Sequence, residues 1–102
     1  YWQVLAMFTF NRAAGDSLAM GAIKSTTDNG GAWTIVAAGY QPLMSWATYG
    51  STSCTAILDI TDTSQNKVSF QTSHDNAGNT TTGNSNGSQT SFTFIRLLLT
   101  PL

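Results

Sequence analysis

The sequence predicts an all-β fold, a small antiparallel β-sandwich or barrel with about seven to eight strands, on three observations. Glutamate is absent, and Thr, Ser, Asn and Gly hold the surface positions that long helix-forming side chains usually take. Apolar residues recur with period two in successive runs, and no stretch carries a helical stripe. Turn signals rich in Gly and Asn separate these runs at intervals of about 8–15 residues. At 102 residues the chain makes one domain, 1–102, with room for a single core.

The first strand runs from Trp2 to Phe10. Trp2, Val4, Ala6, Phe8 and Phe10 share one face, with Gln3, Leu5, Met7 and Thr9 on the other. Leu5 and Met7 make the second face apolar too, so both faces are expected to be covered, by a second sheet or by another subunit. A second, weaker strand follows over Asp16 to Lys24. Asp28-Asn29-Gly30-Gly31 is a strong turn signal, because Asn and Gly accept positive φ at low cost.

Ala32 to Ala38 reads as the third strand, with Trp33, Ile35 and Ala37 on one face, and Gly39 to Pro42 as the break after it. Leu43 to Tyr49 is the fourth, closed by a turn at Gly50-Ser51. Ser53 to Thr61 alternates clearly, with Cys54, Ala56, Leu58 and Ile60 inward and Thr55, Ile57, Asp59 and Thr61 outward. Asp62 to Gln65 is a turn and Asn66 to Thr72 a short strand carrying Val68 and Phe70. A polar loop, Ser73 to Gln89, leads to the closing strand, Thr90 to Leu99, the most apolar of all.

In that last strand Phe92 and Phe94 occupy one face and Ile95, Leu97 and Leu99 the other. A strand in a small monomeric sandwich normally shows one face to water. Two explanations remain open at this point. Either Leu5, Met7, Ile95, Leu97 and Leu99 lie in a subunit interface, where each buried Leu contributes about 1.5–3 kcal/mol, or a bulge re-phases the strand into one core.

Only 9% of the residues are charged, against about 25% in an average domain, and the net charge is −1. Arg12, Lys24, Lys67 and Arg96 form no run and have no interleaved aromatics, so nucleic acid is not an expected partner. No segment reaches the ~18 consecutive apolar residues of a membrane-spanning helix. The chain opens at Tyr1 without a basic region or cleavage site, and the expectation is a fragment or mature portion of something longer. Cys54, the single cysteine, alternates with Ala56 and Leu58 and reads as a small buried apolar residue.

Two stretches carry a family resemblance. The first is Asn66-Lys-Val-Ser-Phe-Gln-Thr72, the polar loop, and then Gln89-Thr-Ser-Phe-Thr-Phe-Ile-Arg-Leu-Leu-Leu99. The second is Ala38-Gly39-Tyr40 leading to Trp46. Together they cover about half the chain and resemble C1q/TNF-like jelly-roll head domains, especially those at the tips of phage tail fibres and tailspikes. The resemblance implies a compact homotrimer on a virion or other extracellular surface that binds a surface receptor or glycan, with bacterial surface glycans the natural candidates. Two departures stand beside it: family members usually run longer, and this chain has no collagen-like or coiled-coil stalk.

Chemistry-bearing constellations are scarce. His74 is the only histidine and sits beside Asp75 in the polar loop, without the Gly-x-Ser-x-Gly elbow of a hydrolase. Asp59 and Asp62 are the nearest approach to a glycosidase carboxylate pair, but Asp62, like Asp16 and Asp28, falls where turns call for Asp. Asp75, Asn76 and Asn79 supply oxygens without the dense spacing of a calcium loop. No catalytic activity, metal or cofactor is expected. Asn79-Thr80-Thr81 and Asn86-Gly87-Ser88 match the glycosylation sequon.

Recognition is the better expectation. Trp33 and Trp46 sit mid-strand and are expected in the core. Tyr40 and Tyr49, at strand ends beside glycines, are expected to be exposed. With His74, Asp75, Asn76 and Asn79 of the polar loop they are the candidate ligand-binding residues, since loops on rigid β scaffolds carry recognition. The leading expectation is therefore a homotrimeric tip domain that recognises a receptor or glycan and trimerises a fibre. The alternative is a purely structural capsid-decoration or fibre-capping domain.

Overall fold

The computed structural model describes residues 1–12, 17–44, 49–76, 78–82 and 90–98. They form seven strands: β1 (Trp2–Asn11), β2 (Ser17–Thr26), β3 (Thr34–Leu43), β4 (Tyr49–Leu58), β5 (Lys67–His74), β6 (Thr80–Thr81) and β7 (Ser91–Arg96). In one sheet β1 pairs with β4 along one edge and with β7 and then β6 along the other; the second sheet has the order β3-β2-β5. Every pairing is antiparallel. The chain passes between sheets from β1 to β2, from β3 to β4, from β4 to β5 and from β5 to β6, so the fold is an all-β sandwich with crossing connections.

The core follows from the alternation in β1. Val4, Ala6, Phe8 and Phe10 are buried to 1% exposure or less and meet Ala19, Ile23 and Leu43 of the other sheet, with Ala56 of β4 beside them. Phe8 lies flat against the backbone at Gly21, where any Cβ would overlap its ring, so only glycine fits there. Small residues also bring β3 and β4 together at one side of the sandwich. A Cβ at Gly39 would stand 2.9 Å from the Ser53 carbonyl oxygen, and one at Gly50 2.8 Å from Leu43 Cδ2.

The opposite side is open. Phe92 and Phe94 face inward by register, opposite Ala6 and Val4, yet are 42% and 49% exposed. Among the described residues the second sheet ends there at β5, whose Phe70 stacks on Phe92 with ring centroids 3.8 Å apart. The sandwich is thus a wedge, closed at β3/β4 and open at β5/β7.

Hydrogen bonds fix the turns. Between β2 and β3, Asn29 and Gly30 take positive φ (58° and 95°). The buried Thr26 hydroxyl accepts from the N–H groups of Asp28 and Gly30 and donates to Asp28 Oδ1 at 2.6 Å. Asp62 organises the turn before β5 in a similar way, accepting from the Ser64 N–H and hydroxyl. Asn29 N–H donates to the Gln65 carbonyl at 2.8 Å, which ties the two turns together.

Several sequence-based expectations are corrected. Gly39 to Pro42 does not break the chain: β3 runs through it to Leu43, because Gly39 is needed for close approach to β4 and Pro42 sits on a strand that pairs only with β2. Gly50-Ser51 is not a turn but part of β4, paired with Phe10 and Thr9. Leu43 closes β3 and Tyr49 opens β4, so they do not belong to one strand; residues 45–48 between them, with Trp46, lie outside the described residues. Trp33 precedes β3 and Ile35 is half exposed, so neither is core. The cause is a bulge. The register of β2 with β3 shifts between Ile23 and Lys24, which leaves Val36 unpaired, turns Ala37 inward opposite Ile23 and sends Ile35 outward opposite Lys24.

Candidate functional site

β1 pairs with β4 and with β7 without a register shift, so no bulge returns Leu5 and Met7 to the core. They form a short apolar spine on the outer face of the first sheet. The rows across it are Ser53–Met7–Ser91, Thr55–Leu5–Thr93 and Ile57–Gln3–Ile95. No charged side chain occurs in these rows. Met7, Ile57 and Ile95 are exposed and Leu5 is half-buried between its threonines. Shallow relief beside the spine encloses about 290 Å³. Leu97 lies just past β7, half-buried, with its N–H on the Tyr1 carbonyl at 2.8 Å, and Leu99 lies outside the described residues. The serines and threonines flanking the spine were not singled out by sequence; their role emerges only from the register that sets equal residues on either side of β1.

The polar candidates fall elsewhere. His74 is not a loop residue: it ends β5, and its ring meets Phe10 edge-on at 5.3 Å. Its Nε2 is 3.3 Å from the Thr81 hydroxyl, and its buried Nδ1 has no hydrogen-bond partner among the described residues. Asp75 caps the start of β2, accepting from Leu18 N–H at 2.7 Å while its own N–H donates to the Leu18 carbonyl. Asn76 Oδ1 accepts from Gly78 N–H. Asn79 is only 5% exposed, and its amide donates to the Ser17 hydroxyl at 2.7 Å. These side chains hold the segment after β5 against β2. Asn79, so buried and engaged, is a poor acceptor for the sequon it begins. Asn86 and most of the polar loop lie outside the described residues.

The two tyrosines are separated. Tyr40 is exposed on the outer face of the second sheet, paired with Met20, where Leu18, Ser73, His74 and Asp75 join it around a depression of about 170 Å³. That is smaller than ordinary ligand pockets of about 300–1,000 Å³ and suits a contact patch for one ring. Tyr49, equally exposed, pairs with Asn11 at the edge of the other sheet, on the far side of the sandwich. Leu18 and Met20 were missed in the sequence. Their signal was the alternation of β2, which sets them opposite the buried Ala19.

For chemistry, no group of three metal-ligating side chains occurs among the described residues. Asp59 is exposed, and Asp62 spends its carboxylate on Ser64. Cys54 is partly buried against the core, and burial pushes its thiol pKa up, away from the reactive thiolate. No helix among the described residues is long and apolar enough to cross a membrane. Compared with known proteins, the chain matches no family model, no curated protein and no solved structure.

Proposed function

We propose that this chain is a self-assembling recognition domain of a virion or cell-surface appendage, a homotrimeric tip of the C1q/TNF-like kind. The observation that carries the reading is the outer face of β4-β1-β7: Leu5 and Met7 flanked by serines and threonines, Gln3 flanked by Ile57 and Ile95, and no charge in any of the three rows. Such a face packs against a copy of itself at little desolvation cost, because serine and threonine find partners across an interface while no unpaired charge is buried. A homotrimer, rather than another order, is what the resemblance of the C-terminal half implies.

Recognition is assigned to the other sheet. Tyr40 presents a flat ring beside Ser73 and Asp75, an arrangement suited to stacking on a sugar and bonding its hydroxyls. The partner is a bacterial surface glycan or receptor. A glycan array followed by titration tests this: Tyr40→Ala removes binding and Tyr49→Ala leaves it. Equal loss from both variants, or no binding at millimolar glycan, contradicts the recognition role.

One observation favours a second reading. Asp75, Asn79 and His74 are engaged within the fold, as expected of a purely structural capping domain. Under that reading the parent assembly loses stability without the domain, while Tyr40→Ala leaves attachment intact.

A further inference from the structure

The open side of the wedge contains a cleft that neither assembly through β1 nor contact at Tyr40 uses. It lies where the start of β1, the end of β4, the turn before β5 and the end of β7 converge. Its volume is about 580 Å³ and its apolar walls are Trp2, Val4, Leu58, Ile60, Val68 and Phe94. That volume falls within the range of about 300–1,000 Å³ typical of small-molecule sites. Phe94 marks it as a partly covered piece of core: its register points it inward opposite Val4, yet it is 49% exposed, and among the described residues no strand of the second sheet lies beyond β5.

The rim has a different character. Its polar members are Thr63, Asn66 and Lys67, and among the described residues Lys67 is the only charged one lining the cleft. Each of the three carries a hydrogen-bond donor. Asn66 Oδ1 accepts the Asp62 N–H at 3.1 Å, which leaves its amide NH2 to donate. Neither nearby carboxylate, Asp59 or Asp62, lines the cleft, and Asp62 Oδ1 is turned to the N–H and hydroxyl of Ser64. The rim is held in place through the Asn29 to Gln65 hydrogen bond. An apolar trough closed at one margin by a cation and neutral donors complements one kind of molecule, with a hydrocarbon body and a single negative head.

We propose that this cleft is a binding site for a small anionic amphiphile, an acyl or aryl carboxylate whose hydrocarbon lies against Trp2, Leu58, Val68 and Phe94 and whose head meets Lys67 and Asn66. The site is separate from the face around Leu5 and Met7, so it is available whether or not the chain self-associates.

The test is a two-dimensional NMR titration of the whole chain with sodium octanoate, with sodium 2-naphthoate as the aryl arm and octanol as the uncharged control. Expected are saturable shifts at Trp2, Ile60, Val68 and Phe94, and a preference for octanoate over octanol of about threefold, the size of an exposed ion pair. Lys67→Gln abolishes that preference and Lys67→Arg keeps it; both changes are on an exposed side chain and leave the spectrum of the fold unchanged. Stronger binding of naphthoate than octanoate identifies the aryl class, and the reverse the acyl class. Three outcomes overturn the proposal: no saturable shifts at millimolar octanoate, equal binding of octanol and octanoate, or shifts centred on Leu5 and Met7. Cleft resonances that move with protein concentration alone also overturn it, because they place a second copy there.

Discussion

Phe8 and Gly21 make the closest glycine contact among the described residues. The ring occupies the space a side chain would need, and it is buried with Phe10 stacked beside it, 6.2 Å away and nearly parallel. Gly21→Ala therefore forces the ring or the sheet to move and is expected to lower stability by about 1–3 kcal/mol in urea denaturation. Thr26 is the second critical residue. Its hydroxyl is buried and serves both N–H groups of the turn, so Thr26→Val removes these bonds and the one to Asp28 and costs about 0.5–1.5 kcal/mol by the same measurement. The inward set of β1 was readable from its alternation, because a strand with one covered face writes that face into every second residue. The need for glycine opposite Phe8 was not readable, because it depends on which residue of another sheet stands across the core.

Among the elements, the turn between β2 and β3 and the turn before β5 both rest on an aspartate. The Thr26 hydroxyl, and then the Ala32 N–H, hold the Asp28 carboxyl below its ordinary pKa of 3.8. The Ser64 hydroxyl and N–H do the same for Asp62. Both carboxylates are favoured as ions in the folded state, so their contribution is present above 3.8 and is lost as the pH falls through their lowered values. In a pH series of urea midpoints, Asp28→Asn is expected to flatten the fall below 3.8, while an unchanged slope would contradict that role for Asp28. Both turns were visible in the sequence, since Asp, Asn and Gly occur there for backbone reasons. The third strand was misread for an equally physical reason. Gly39 and Pro42 are turn residues by habit, but here one serves close packing and the other sits on an edge, and the bulge at Val36 inverts the phase on which Trp33 and Ile35 were placed inside. Removing Val36 should make the Ala37–Ile23 and Ile35–Lys24 pairs continuous while Ile35 stays outward, with the loss of the bulge visible in amide exchange at Lys24 and Ser25.

For the molecule as a whole, the wedge decides what is left over. One side is closed by small residues, the other exposes phenylalanines, and the first sheet presents an uncharged outer face. The apolar pattern on both faces of β1 and β7 was legible in the sequence. Whether it meant a bulge or an outward face was not, because periodicity records alternation and not which side the second sheet covers; the unbroken register of both strands places Leu5, Met7 and Ile95 outside. The cleft between Trp2 and Phe94 left no periodic signature at all, since it lies where, among the described residues, the second sheet ends at β5.

Self-association through the outer face of β1 is the central claim, and light scattering after size exclusion, at micromolar concentration, tests it most directly. The expected result is three times the chain mass for the native sequence and the single-chain mass for Thr93→Arg, which sets a charge beside Leu5 without touching the core. A native chain that elutes as a monomer over the whole concentration range, or a trimer that Thr93→Arg leaves intact, contradicts the account.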